Sequence, residues 1–307
     1  MRRLLRPGSL LWPAALVVLA CTAPVAAADS VTAASPIAAC APALVGTAVP
    51  AGIPVLDWSE NVGYDAQGNL WVSRIYRNVV QRYDRSGALT ATVPVEFPGA
   101  VRSGPDGLLY VVYGDSPTSA VRPGGVVRFD PAAEDPKPEV FVSGFAMPNG
   151  AAFDASGTLY VAAMSGVIRV RTDGSIDTAW TEQAAKTGAN GIVAHGDSLY
   201  VTANGIPFGR ILRIAIDNPS QQTVVADLSS VLPGVPDFAD DLLIDADGIL
   251  YVTTLSGQLV RVDPATGGAC AVLTGQPLTS VVATPGRPNE LLAGTESGDV
   301  LRVQLPR

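Results

Sequence analysis

The chain has 307 residues, of which 48% are hydrophobic and 16% are charged; this composition is typical of a well-packed folded protein and excludes a largely disordered one. Acidic side chains outnumber basic ones by 28 to 20, which gives a net charge of −8. Because an acidic surface repels phosphate groups, nucleic acid and anionic membrane surfaces are not expected as partners.

Residues 1–28 are predicted to form a bacterial export signal. Three arginines within the first six residues precede an apolar run from Leu10 to Ala20, and Ala26-Ala27-Ala28 supplies a small-residue cleavage site. Two alternatives are a lipid anchor on Cys21 and twin-arginine export through the Arg-Arg pair. Each places the mature chain outside the cytoplasm without a membrane span. We expect a secreted monomer with 17 basic and 28 acidic side chains, a net charge of −11.

Two cysteines, Cys40 and Cys270, remain after the leader. An even pair in an exported protein predicts a disulfide bond. Such a bond would close a very long loop and stabilise the fold by a few kcal/mol. Residues 29–57, which include Cys40, are expected to form an N-terminal segment ahead of the main domain at 58–307.

The main domain contains six copies of one pattern. Each copy opens with a short apolar strand, turns at Asp-x-x-Gly or a similar sequence, continues in a Leu-Tyr-Val type strand, and has an arginine at the same place in a third strand. The copies start 39 to 50 residues apart, a period typical of a propeller blade. The first residues of the six units are Glu60, Gly99, Asn149, Asn190, Asp240 and Thr279.

These repeats predict an all-β fold, a six-bladed β-propeller of four-stranded antiparallel blades. No segment has a sustained helical period. The sixth unit ends at Leu305 after only three strands, so the segment Ala43 to Val49 is expected to supply its fourth strand and close the ring. The Cys40–Cys270 disulfide would then lock that closure.

The first strands of a propeller line its central channel and run in the same direction, so their first residues meet at one opening, called the mouth below. Glu60, Asn149, Asn190 and Asp240 would supply two carboxylates and two amide oxygens there. This donor set indicates Ca²⁺ or another hard divalent cation rather than zinc. The alternative is that each Asn-Gly pair is an ordinary β-turn. Because side chains with oxygen donors occupy the same register position in four blades, the metal site is favoured over the β-turn interpretation.

Loops at the mouth carry apolar side chains that we predict to contact the substrate, namely Met147, Trp180, Phe208 and Phe238. Tyr113, Phe145 and Trp58 are further members of this rim. Such a rim favours a hydrophobic acyl or aryl substrate. His195, the only histidine, is interpreted as an exposed turn residue at the far end of its strand.

Four motifs resemble those of the gluconolactonase/regucalcin-like propellers, which are related to the paraoxonases and diisopropylfluorophosphatase; they are Ser59-Glu60, Pro148-Asn149-Gly150, Ala189-Asn190-Gly191-Ile192 and Asp240-Asp241-Leu242-Leu243-Ile244-Asp245. The resemblance spans residues 58–305. It implies that the Glu, the two Asn and the first Asp bind a catalytic divalent metal, usually Ca²⁺, and that Asp240 is also the general base or nucleophile. Met147 stands where sugar-lactone members have an arginine.

The resulting hypothesis is a secreted Ca²⁺-dependent hydrolase of lactones or related esters with a small hydrophobic substrate. Asp240 is the preferred base, with Asp241 and Glu60 as weaker candidates. One alternative is a non-catalytic, calcium-stabilised propeller that binds a peptide, glycan or protein. Another is an enzyme similar to strictosidine synthase, which has this architecture without the metal set.

Overall fold

A computed structural model of the chain describes residues 36–186 and 188–306. The predicted leader, including Cys21, lies outside the described residues. Within those residues, no helix is long and apolar enough to cross a membrane.

The described residues form six antiparallel sheets, one for each predicted unit. The N-terminal strand is β1 (Leu44–Val49). Blade one comprises β2 (Ser59–Tyr64), β3 (Leu70–Arg74), β4 (Val79–Tyr83) and β5 (Leu89–Pro94). Blade two comprises β6 (Val101–Ser103), β7 (Leu109–Tyr113), β8 (Gly124–Phe129) and β9 (Glu139–Phe145). Blade three comprises β10 (Pro148–Phe153), β11 (Leu159–Ala163) and β12 (Gly166–Val170).

The other three blades follow the same order. Blade four comprises β13 (Ala189–His195), β14 (Ser198–Ala203), β15 (Arg210–Ala215) and β16 (Gln222–Asp227). Blade five comprises β17 (Ala239–Ile244), β18 (Leu250–Thr254), β19 (Gln258–Val262) and β20 (Ala269–Thr274). Blade six comprises β21 (Leu278–Ala283), β22 (Glu290–Thr295) and β23 (Val300–Gln304) with β1. Short 3₁₀ turns lie at Ile75–Arg77 and Pro117–Ala120, and the helix α1 spans Thr178–Gln183. The predicted six-bladed propeller is confirmed.

The repeated aromatic and arginine positions pair with each other across strands two and three. In blades one to five, the central Tyr or Trp of the second strand lies opposite the arginine of the third strand; the pairs are Trp71–Arg82, Tyr110–Arg128, Tyr160–Arg169, Tyr200–Arg213 and Tyr251–Arg261. Cross-strand pairs of this kind stabilise a sheet, and a guanidinium near an aromatic ring adds a cation–π attraction. The Arg82 guanidinium, for example, lies 5.8 Å from the Trp71 ring centroid. The aromatic and arginine positions of the repeat therefore stabilise the blades.

Blade three differs from the others at its outer edge. Its described sheet has three strands, and α1 packs where a fourth strand lies elsewhere. The Asp177 side chain accepts a hydrogen bond from the Trp180 backbone N–H and thereby caps the helix. The Trp180 side chain is buried against Tyr160, with ring centroids 5.2 Å apart, and its Nε1 donates to the Ile216 carbonyl oxygen. The helix α1 therefore takes the place of a fourth strand at the outer edge of blade three, and the buried Trp180 side chain holds it there.

The ring closes as predicted. β1 pairs antiparallel with β23, from Leu44 opposite Gln304 to Val49 opposite Val300. Cys40 is joined to Cys270 by a disulfide, with Cα atoms 5.3 Å apart. The Cys40 N–H also donates to the Ala271 carbonyl oxygen on β20 at 2.9 Å. The N-terminal segment is thus attached to blade five before it completes blade six.

We expect loss of this disulfide to lower the stability of the mature chain. Replacing both Cys40 and Cys270 by Ser should reduce the free energy of unfolding by up to about 5 kcal/mol, because the bond restricts the unfolded chain over a sequence separation of 230 residues. Equilibrium denaturant unfolding measures the change. A reducing agent should destabilise the native protein and leave the double variant unaffected; equal midpoints for the two oxidised proteins would contradict the expectation.

Candidate functional site

The first strands of five blades have a β-bulge at the end nearest the mouth. The pairing register shifts between Ser59 and Asn61, and at the corresponding places in β10, β13, β17 and β21. A bulge gives one strand an extra residue and redirects the side chain at that point. The four predicted ligands lie in these bulges: Glu60, Asn149, Asn190 and Asp240.

The two Asn-Gly pairs lie inside strands, so the β-turn interpretation is wrong. A Cβ at Gly150 would lie 2.3 Å from the Asn190 carbonyl oxygen, and a Cβ at Gly191 would lie 2.6 Å from the Asp240 carbonyl oxygen. The glycines are needed because the first strands of neighbouring blades touch each other around the channel. This close approach also brings the residue before each glycine to the mouth.

Glu60 and Asn149 are in direct contact. Glu60 Oε1 accepts a hydrogen bond from Asn149 Nδ2 at 2.9 Å, and Oε2 accepts one from Trp58 Nε1 at 2.6 Å. Asn149 Nδ2 also donates to Asp115 Oδ2 at 2.8 Å. The structure therefore adds Asp115, which sequence reasoning missed. A signal for it exists in the sequence, since blade two has Gly99 at the position where neighbouring blades have a polar side chain.

Asp240 and Asn190 have donor oxygens that the described residues leave unsatisfied. The Asp240 side chain is buried, yet no hydrogen bond to its carboxylate comes from residues 36–186 or 188–306; its backbone carbonyl accepts one from Thr202 Oγ1 at 2.6 Å. Asn190 Oδ1 is buried and has no hydrogen-bond partner among the same residues. A buried polar oxygen without a donor is costly. A bound cation would satisfy both groups.

The acids at the mouth interact electrostatically. Burial raises the pKa of the Asp240 carboxyl well above its usual range, and the charges of Glu60, Asp241 and Asp115 raise it further. The pKa of Asp115 is raised by burial and then by Glu60, and burial also raises that of Glu60. In the described part of the chain, no Lys or Arg forms an ion pair with Glu60, Asp115 or Asp240. A cation would compensate this charge, and it would bind more tightly as the pH rises and protons leave the acids.

These residues fit a hard divalent cation. The donors at the mouth are carboxylate and amide oxygens, which Ca²⁺ prefers. Among the described residues, no three His, Cys, Asp or Glu side chains form a metal cluster by themselves, so a cation here needs the amide oxygens as well. Asn190 Oδ1 is already free, and a half-turn of the Asn149 amide would present Oδ1 in place of Nδ2.

A second polar layer lies in the channel and contains its own cation, a guanidinium. Asp241 is buried, accepts a hydrogen bond from Asn61 Nδ2 at 3.1 Å, and lies 3.5 Å from Arg102 Nη2. Arg102 Nη1 in turn donates to Asn61 Oδ1 at 2.8 Å. Burial raises the pKa of Asp241, whereas the charge of Arg102 lowers it. Asp241 therefore belongs to a paired structural layer, in contrast to Asp240.

Of the four predicted substrate contacts, three lie on loops at the mouth end of the blades, namely Met147, Phe208 and Phe238, and the fourth, Trp180, does not. Met147 directly precedes the strand residues Pro148 and Asn149, and its N–H donates to Ser119 Oγ. Phe208 and Phe238 lie together, with ring centroids 6.3 Å apart. Trp180 is corrected: it is buried in the core between blades three and four, because the outer edge of blade three is a helix.

Two of the three further rim candidates also differ from expectation. Phe145 is 2% exposed and belongs to the core of blades two and three, and half-buried Tyr113 packs on the adjacent core. Trp58 is at the mouth, where it donates to Glu60 and lies edge-on to Tyr76 with centroids 5.4 Å apart. His195 is exposed at the end of β13 opposite the mouth, as the sequence indicates.

The loops around the mouth expose many apolar side chains. These loops join second to third strands, or one blade to the next. Their exposed large hydrophobic residues are Ile53, Val55, Leu56, Tyr76, Val121, Met164, Ile206, Phe208, Val231, Leu232 and Val235. These exposed apolar side chains lie on loops at the same end of the blades as the polar donor set.

Together, fold and site define a six-bladed β-propeller with an oxygen-lined mouth. Regucalcin from Agrobacterium tumefaciens, a calcium-binding protein, is similar with a TM-score of 0.69 and 15% identity over 88% of this chain and 96% of its own. A gluconolactonase from Xanthomonas campestris has a TM-score of 0.60 and 17% identity over 89% and 97%. Virginiamycin B lyase from Staphylococcus aureus has a TM-score of 0.57 and 12% identity over 86% and 99%.

These comparisons confirm the predicted resemblance to gluconolactonase/regucalcin-like propellers as a likeness of fold. No protein-family model and no curated protein matches the sequence. Because the similar structures include a hydrolase, a calcium-binding protein and a lyase, the fold alone does not decide the activity. The activity therefore depends on the side chains at the mouth.

Proposed function

We propose that the protein is a secreted, metal-dependent hydrolase of lactones or related esters, with Ca²⁺ as the preferred ion. The observation that carries this proposal is Asn190 Oδ1, which is buried and has no hydrogen-bond partner among the described residues. The buried Asp240 carboxylate likewise accepts no hydrogen bond from those residues, and Glu60 and Asn149 share its register. The Cys40–Cys270 disulfide is consistent with an oxidising compartment outside the cytoplasm.

Each proposed ligand is held by its own surroundings. Trp58 fixes the Glu60 carboxylate through Oε2, and the strand bulges orient Asn149 and Asn190. The ion, when bound, would stabilise the negative charge that develops on the carbonyl oxygen of the substrate. Asp240 is the residue best placed to accept a proton from water or to attack the carbonyl directly, since its carboxylate has no donor among the described residues.

The apolar loops support a hydrophobic substrate. Phe208 and Phe238 lie together, with ring centroids 6.3 Å apart, and we infer that they border the opening; Met147 directly precedes the strand of Asn149. Among relatives suggested by the motif resemblance, sugar-lactone members have an arginine at the place of Met147. The absence of a charged side chain at this position favours an acyl or aryl ester over a sugar acid.

A second candidate function is a non-catalytic propeller, in which the ion is structural and the mouth binds a partner. The observation in its favour is the number of exposed apolar side chains on the mouth loops, Ile206 being 96% exposed. Large exposed apolar patches are often interaction sites. Because a structural cation would satisfy the Asp240 carboxylate equally well, measurements of hydrolysis distinguish the two functions.

Removal of the metal tests the proposal. Initial rates for aliphatic lactones, aryl esters and a phosphotriester should be measured for the mature protein with Ca²⁺, after chelation, and after Ca²⁺ is restored. We expect hydrolysis of hydrophobic lactones or esters that chelation abolishes and Ca²⁺ recovers. Activity that survives exhaustive chelation contradicts metal dependence. A calcium-induced rise in Tm without hydrolysis of any substrate would support the non-catalytic alternative.

A further inference from the structure

Asp115 has no counterpart in the repeat pattern, yet it lies at the mouth. It follows β7 of blade two, and its Oδ2 is 2.8 Å from Asn149 Nδ2, whose other contact is Glu60 Oε1. One amide group is thus enclosed by two carboxylates from different blades. Such an arrangement of acids is stable when a positive charge lies among them.

The backbone that carries Asp115 is well anchored. The Asp115 N–H donates to the Phe97 carbonyl oxygen at 3.0 Å, and the preceding Gly114 N–H donates to the Glu96 carbonyl oxygen at 2.9 Å. On the other side, the Ser116 hydroxyl caps the 3₁₀ turn by accepting from the Thr118 N–H. These bonds hold the loop on both sides of Asp115. The carboxylate is therefore presented to the mouth by a defined turn.

Blade two cannot supply a ligand from the position that carries one in the neighbouring blades. Its first-strand position is Gly99, and a Cβ there would lie 2.7 Å from the Asn149 carbonyl oxygen. A side chain on the first strand is consequently excluded by the neighbouring blade. Asp115 reaches the same sector, between Glu60 of blade one and Asn149 of blade three, from the loop after the second strand.

We propose that Asp115 is a fifth protein ligand of the cation, an inference that rests on the metal centre of the proposed function. The ligands would then be three carboxylates and two amide oxygens, from Glu60, Asp115, Asn149, Asn190 and Asp240. In the described residues the three carboxylates do not yet converge on one point, so these side chains would close around the ion when it binds. Calcium sites use six to eight oxygens, and their affinity increases with the number of charged ligands. A fifth ligand still leaves room for a substrate oxygen.

Calcium titration calorimetry with chelator-treated mature protein tests this role. We expect Asp115→Asn to weaken calcium binding by at least about fivefold, because a charged ligand is lost. The matched control is Asp130→Asn, which removes one charge from an exposed turn of the same blade, where Asp130 Oδ1 only accepts from the Ala132 N–H. The control variant should bind calcium as the native protein does.

Two substitutions separate a ligand from a residue that contributes only negative charge. Asp115→Asn removes the charge, whereas Asp115→Glu keeps the charge and moves the carboxylate by one methylene. A ligand predicts weaker calcium binding in both variants, and a role limited to negative charge predicts a loss in Asp115→Asn only. A loss smaller than fivefold in Asp115→Asn, relative to Asp130→Asn, therefore overturns the proposal, as does unchanged binding in Asp115→Glu. If Asp115→Asn does not fold, Asp115→Ser takes its place, and the calcium-induced rise in Tm should be smaller than that of the native protein; an equal rise overturns the proposal.

The same titration distinguishes the two proposals. Native protein that binds calcium while Asp115→Asn binds equally well contradicts only the role of Asp115. Native protein that binds no calcium contradicts both the metal centre and its fifth ligand. Tight native binding with loss in Asp115→Asn, in the absence of any ester or lactone hydrolysis, supports the ligand and contradicts the hydrolase.

Discussion

Asp240→Asn is expected to abolish hydrolysis of the best ester or lactone substrate while the propeller stays folded. Asn has the same shape but cannot accept a proton at neutral pH, and loss of a general base typically costs about 100- to 10,000-fold in rate. The backbone at this point remains held, since Asn204 Nδ2 donates to the Ala239 carbonyl oxygen and Asn204 Oδ1 accepts from the Ala239 N–H. In the metal-free protein, removing one of several neighbouring negative charges should not lower stability.

The kinetics should be measured at calcium concentrations that saturate the variant, because Asp240 is also a proposed ligand. Asp245→Asn is the matched control: it lies on the turn after the same strand, where Asp245 Oδ1 accepts from the Asp247 and Ile249 N–H groups, a role that Asn can retain. If Asp240→Asn keeps more than a tenth of kcat/KM with calcium bound, the base must be another acid, and Glu60 would be the next residue to replace.

The fold could be predicted from the sequence because each blade repeats the same local sequence features. The Asp-x-x-Gly turns and the cross-strand aromatic–arginine pairs recur at one register, and Asp154 with Tyr160 shows both. Ring closure followed from simple counting, since the last unit lacked one strand and a β-prone segment was available near the N-terminus. The sequence did not predict the third blade's edge, where Asp177 starts a helix in place of a strand.

The site could be predicted only where it lies on the repeat. Glu60 and Asp240 share a register with two asparagines, and that register becomes a ring when the blades assemble. The bulges that orient these side chains depend on contacts between blades, so they cannot be recognised in the sequence of a single strand. Asp115 lies on a loop whose path is set by hydrogen bonds to Phe97 and Glu96, so its position requires the tertiary structure. Trp180 was misplaced for the same reason, because a loop residue can face either the mouth or the core.

The two channel acids at 240 and 241 have opposite electrostatic surroundings, and this difference explains their different roles. Asp241 is neutralised by Arg102 and hydrogen-bonded to Asn61, whereas Asp240 has no basic partner in the described part of the chain. Both residues lie in the bulge of β17, where the regular alternation of the strand is interrupted, and this one strand contributes to both groups of polar side chains. The layer of Asn61, Arg102 and Asp241 can stabilise the channel without a metal, whereas under the proposed function a bound cation would balance the charge of Asp240.

Arg102→Met is expected to destabilise the protein by about 3 kcal/mol at neutral pH, because it leaves the buried Asp241 carboxylate without a positive partner. The Arg102 side chain is 22% exposed, so water screens little of this loss. Burial already raises the pKa of Asp241, and removing Arg102 raises it further. The deficit should therefore shrink as the pH falls, since a protonated Asp241 has no charge to compensate.

Denaturant unfolding of the mature protein at several pH values measures this effect, and a second substitution identifies its cause. Asp241→Asn in the Arg102→Met background should recover most of the lost stability, because no unpaired buried charge remains. Arg122→Met is the surface control: Arg122 lies 3.0 Å from Glu96, but both side chains are exposed, and such pairs contribute less than about 1 kcal/mol. Equal losses for the two arginine variants, or no recovery in the double variant, would mean that Arg102 acts through packing in the channel and that the charge of Asp241 is balanced by other groups.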